Sequence, residues 1–109
     1  MLCVHSLRGK KLGLLISAPP DRPGFRHGIH LASAALDAGV LVYLYCIDEA
    51  VRGVGDANLQ SLKSRGVSLY ACAYGAQRRH IPLSELATFA GLTVVSDIVA
   101  GTDRFVSFN

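Results

Sequence analysis

The chain has 109 residues, half of them hydrophobic and 17% charged, with a mean hydropathy of +0.35. That suits one domain spanning residues 1–109 with a real core, and it excludes a disordered segment. The net charge of +3 is too small and scattered for a dedicated nucleic-acid binder, and no apolar run is long enough to cross a membrane.

Met1–Lys10 carries basic residues but no apolar signal core, so a mobile amino-terminal stretch and a cytoplasmic location are expected. Lys11–Ser17 (KLGLLIS) is a short apolar run without alternation, as in a strand covered on both faces. Ala18–Gly24 holds three prolines and a glycine and reads as a loop. Phe25, Ile29, Ala32, Ala35 and Leu36 then recur at helical spacing up to Gly39, placed where a C-cap glycine belongs. Val40–Ile47 is a second apolar strand closing at Asp48. Strand, helix and strand in this order imply parallel pairing with a right-handed crossover.

The alternation continues. Asp56 is placed to cap a helix through about Arg65, with Leu59 and Leu62 inward and Gly66 as the stop. Val67–Ala71 is a third strand, and Cys72 follows it directly, ahead of AYGAQRRH. Pro82 predicts the start of a helix over Leu83–Ala90, stopped at Gly91. Val94–Ala100 reads as a short helix and Arg104–Phe108 as the closing strand. The predicted architecture is a three-layer α/β/α sandwich around a small parallel sheet of four to five strands.

In such sheets reactive groups collect at the carboxyl ends of the strands, here the loops Ala18–Gly24, Ile47–Gly55 and Cys72–Ile81. Cys72 is the sharpest candidate. A helix start beside it, with Arg78, Arg79 and His80 close in sequence, would favour a thiolate or bind a partner. The competing reading is a buried cysteine acting as a small hydrophobe. Cys46 lies inside an apolar strand and reads as core; Cys3 and His5 are assigned no role. His27 and His30 lack a third ligand, and there is no CxxC pair, so no metal site is indicated. The chain has no GxGxxG, GxxxxGK[ST] or GxSxG, which removes the usual sequence support for nucleotide binding or a serine nucleophile.

Four segments resemble the DsrE/DsrF-like family of sulfur-relay proteins, which includes TusD-like subunits. They are APPDRPGFRHGIHLASAALDAG, VLVYLYCIDEAV, GVSLYACAYGAQRRHI and DRFVSF, together covering about residues 11–108. The last two are the more specific. The resemblance implies an α/β/α fold and assembly into a homo-oligomer (trimer or hexamer) or a related hetero-oligomer. It also implies one cysteine that accepts persulfide sulfur from a donor protein and passes it to an acceptor, without cofactor or metal. Only Cys72 matches the reactive position. The alternative function is a non-catalytic oligomeric scaffold or small-ligand-binding module of the same fold, with Cys72 inert. Scattered basic residues and few aromatics argue against direct nucleic-acid binding.

Overall fold

The computed structural model describes residues 7–109. Among these residues five strands form one sheet: β1 (Lys11–Ile16), β2 (Leu41–Cys46), β3 (Ser68–Cys72), β4 (Thr88–Ala90) and β5 (Arg104–Phe108). Their spatial order is β4-β3-β2-β1-β5, and every neighbouring pair is parallel. The connections carry α1 (Pro23–Asp37), α2 (Ala57–Ser64), α3 (Ala73–Arg78) and α4 (Thr93–Gly101), with a 3-10 helix over Asp48–Gly53.

The faces taken by α1, α2 and α4 follow from the direction of their crossovers. Steps from β1 to β2 and β2 to β3 run the same way across the sheet, so right-handed connections put α1 and α2 on the same face. There Phe25, Ile29 and Ala32 of α1, with Leu59 and Leu62 of α2, pack on Leu14, Ile16, Val42, Leu44 and Leu69. The step from β4 to β5 returns across the whole sheet, so α4 lies on the opposite face. Its Ile98 joins Tyr45, Cys72 and Ala76 of α3, flanked by Leu15, Tyr43, Tyr70 and Phe105. The apolar strands are thus covered on both faces, as their lack of alternation predicts.

Helix ends are set by local chemistry. At the end of α1, Gly39 has φ +83°; its N–H donates to Leu36 O, and the Val40 N–H donates to Ala35 O. Gly66, at φ +114°, repeats this arrangement for α2, with Val67 donating to Leu62 O. Both are the paired reverse bonds that satisfy a helix's last carbonyls, and both need the left-handed backbone glycine supplies. Asp56 caps α2, its Oδ1 accepting from Asn58 N (2.9 Å) and Leu59 N (3.3 Å).

The predicted helix over Leu83–Ala90 does not form. Irregular chain leads instead into the three-residue strand β4, which pairs with Tyr70–Cys72. Leu83 and Leu86 remain 63% and 42% exposed, so the segment has no buried apolar stripe to hold a helix against the sheet. Phe89 instead turns towards the apolar clusters. Side chains of α2 take up the freed carbonyls: Gln60 Nε2 donates to Leu86 O (2.8 Å) and Lys63 Nζ to Glu85 O (3.0 Å). Residues 1–6 of the stretch predicted to be mobile, with Cys3 and His5, lie outside the described residues. Leu7–Lys10 forms a turn whose Gly9 N–H donates to Gly39 O.

Candidate functional site

Cys72 ends β3 and is also the N-cap residue of α3. Its Sγ accepts a hydrogen bond from the Gly75 N–H at 3.3 Å, so one of the free amides of the helix start is aimed at the sulfur. The residue is 5% exposed. It forms part of the wall of a cleft of about 560 Å³, together with Ile47, Asp48, Glu49, Gly75, Arg79 and Leu92. Tyr74 and Arg78 stand at the same cleft.

The cleft arises where three strands end together. β2 delivers Asp48, which holds a left-handed backbone (φ +53°), and Glu49 at the start of the 3-10 helix. β3 delivers Cys72, and the chain leaving β4 delivers Leu92. Glu49 is the electrostatic hinge of this group. Its two oxygens accept from Arg52 Nε (2.7 Å) and Arg79 Nε (2.8 Å), and both guanidiniums hold its carboxyl below the usual range. Arg79 also donates from Nη1 to Gly75 O (3.2 Å) within α3, so its bond to Glu49 ties that helix to the 3-10 helix. The cation nearest the helix start is therefore already paired with a carboxylate.

The other two basic candidates have different settings. Arg78 is exposed; it donates to the Tyr74 hydroxyl (3.1 Å) and sits 5.7 Å from that ring's centroid. His80, exposed and at φ +57°, lines a neighbouring hollow with Ala73, Tyr74, Gln77 and Pro82 rather than the Cys72 cleft.

Tyr45 is the residue that sequence reasoning passes over. Fully buried, it donates its hydroxyl to Ala90 O (3.0 Å) and Gly91 O (3.3 Å), at the β4 end beside the cysteine. Burial first, then the nearby Cys72, push its ionisation well above the ordinary tyrosine value. It is thus a neutral phenol behind the thiol. The only signal available in the sequence is the alternation that puts Tyr43, Tyr45, Tyr70 and Cys72 on one face once the register is known. Cys46 is fully buried among the residues under α1 and α2, and burial pushes its thiol up to about 12. His27 and His30 are both exposed.

The arrangement is an α/β sheet protein with a thiol at the carboxyl edge of the sheet. No family model matches the chain, and no curated protein matches it. Among solved structures, the YchN protein from E. coli shares the fold, with a TM-score of 0.77 at 17% identity. The likeness spans 92% of this chain and 99% of that one. At that identity it speaks for the architecture alone.

Proposed function

We propose that this protein is a sulfur carrier that accepts and passes on persulfide sulfur through Cys72. The observation that carries the reading is the placement of Cys72: a sulfur at the carboxyl end of a parallel strand, accepting an amide hydrogen bond and facing an open cleft. The resemblance of GVSLYACAYGAQRRHI and DRFVSF to DsrE/DsrF-like sulfur-relay proteins supports it, as does the architecture shared with YchN.

In this reading the Cys72 thiolate attacks the outer sulfur of a donor persulfide, R–S–SH. A new S–S bond forms on Cys72, the donor's S–S bond breaks, and the donor leaves as a thiolate that takes up a proton. The resulting Cys72 persulfide then gives its outer sulfur to an acceptor thiol by the same exchange. Oxidation states balance, so no redox cofactor takes part. The Gly75 amide supports the anionic sulfur, the neutral Tyr45 adds no opposing charge, and Arg79 holds the helix start in place through Glu49. Exposed Tyr74 and Leu92 beside the cleft offer apolar surface to donor and acceptor proteins, and a homo-oligomer or related hetero-oligomer is the assembly proposed.

The low exposure of the sulfur favours a second reading, a scaffold or ligand-binding module with an inert Cys72. Two measurements separate them. Incubation with a persulfide donor and intact-mass analysis is expected to add one sulfur to the protein and none at this position in Cys72→Ser. Equal loading of the variant overturns the carrier reading. Alkylation of Cys72 in the folded protein supports it, whereas protection until global unfolding supports the scaffold.

A further inference from the structure

A second cavity lies at the opposite end of the sheet, where β1 and β5 begin. It has a volume of about 470 Å³ and opens between the last turns of α1 and these two strands. Leu7, Leu12, Leu31 and Val40 form its apolar wall. Besides Leu31, the end of α1 lines it with the small side chains Ala34, Ala35 and Ala38, which leave room that larger side chains would fill. The rim is cationic. Lys10, Lys11 and Arg104 stand around it with a single acid, Asp103. That carboxylate is already engaged, with Oδ2 accepting from the Lys11 backbone N–H at 2.7 Å. Among the described residues none of the three cations is in an ion pair.

We infer that this groove binds a free anionic amphiphile, an alkyl chain ending in a carboxylate. The apolar wall takes the chain, and Lys10 and Arg104 take the head group. The match is one of charge and hydrophobicity together, since a pocket of this size lined by aliphatic groups with a few convergent polar ones is the usual form of a small-molecule site. A second copy of the chain docked symmetrically here would bring the cationic rim against its own equivalent, which opposes that occupant. The site is remote from Cys72, because Lys11 and Arg104 open their strands whereas Cys72 closes β3. The inference therefore stands apart from the carrier reading.

Calorimetric titration of the full chain with dodecanoate, kept below its micelle concentration, reads the affinity, and amide shift mapping reads the place. Expected are saturable binding, shifts at Leu12, Leu31, Ala35 and Val40, and an undiminished affinity in Cys72→Ser. Lys10→Gln and Arg104→Gln should each weaken binding about threefold, the size of a partly exposed ion pair, and dodecanol should bind about tenfold more weakly than dodecanoate. Ala34→Leu, with its fold checked by circular dichroism, should fill the groove and abolish binding. Absence of binding overturns the inference, as does equal affinity for dodecyltrimethylammonium. Capture by phosphatidylglycerol vesicles that dodecanoate does not compete away assigns the rim to a lipid surface instead. Binding seen only after removal of residues 1–6 assigns the groove to the chain's own terminus. A change of oligomeric state in Ala34→Leu with dodecanoate affinity intact assigns it to a second copy; each of these three also overturns the inference.

Discussion

The sulfur atoms of Cys46 and Cys72 lie on opposite faces of the sheet, although the residues are one step apart in register on adjacent strands. Cys46 pairs with Ala71 and packs under α1 and α2, whereas Cys72 faces the α3 and α4 side. A disulfide needs Cβ atoms about 3.5–4.5 Å apart and directed at each other, which a sheet between them prevents.

Oxidation with diamide should therefore yield no Cys46–Cys72 disulfide, as read by peptide mapping without reduction. In the folded protein iodoacetamide should modify Cys72 well before Cys46, whose thiol is fully buried and pushed up to about 12. A linked peptide, or equal labelling, would contradict the placement of the two side chains.

Gly75 separates stability from reactivity. A Cβ there would lie 3.4 Å from the Cys72 Cβ and 3.5 Å from Val51 Cγ2, ordinary contacts without a clash. Gly75→Ala should stabilise the protein by about 0.5–1 kcal/mol, the usual gain for alanine over glycine within a helix. The added methyl sits against the cysteine, so alkylation and sulfur loading should slow. Melting temperature and alkylation rate on the same sample test both halves.

Asp56 links helix capping to pH. Burial raises the carboxyl's pKa, but Arg26, which grips both oxygens, and the amides of Leu59 and Asn58 outweigh it and leave the group below its ordinary value. A depressed folded-state pKa contributes stability that is complete above the unfolded value of about 4 and disappears as pH falls through the folded value. Asp56→Ala should cost about 1–2 kcal/mol at pH 7, mainly from the lost cap. Urea melts of protein and variant should converge as pH drops below about 4.

Gly13 lets α4 approach β1. A Cβ at this position would fall 2.6 Å from Ile98 Cγ2 and 2.9 Å from Phe105 Cδ1. Gly13→Ala should therefore destabilise by about 1–3 kcal/mol through overpacking, seen as a lower denaturation midpoint.

How much of this was legible beforehand depended on whether a feature is local. The apolar runs of β1, β2, β3 and β5, the stops at Gly39 and Gly66 and the cap at Asp56 are local, and the structure has them within a residue or two. Leu83–Ala90 shows the limit: Pro82 and Gly91 are placed to bound a helix, but Leu83 and Leu86 stay exposed, and pairing with Tyr70–Cys72 decides the outcome. Cys72 was findable because it follows an obvious strand. Tyr45 and Glu49 were not, since they reach the sulfur's surroundings only through the pairing of β2 with β3 and the bond that Arg79 donates to Glu49.

The pairing of β1 with β5 joins Leu12 to Arg104 and Ile16 to Phe108. While the chain is being made, β1 can gain β2 early and then β3 can add to β2, but its other edge stays open until β5 has left the ribosome. Closure of that edge depends on residues some ninety positions downstream, a contact whose loop entropy is met late. Nascent chains stalled before Arg104 would thus expose a ready template for strand addition, and the protein's susceptibility to aggregation should be greatest in that interval of synthesis.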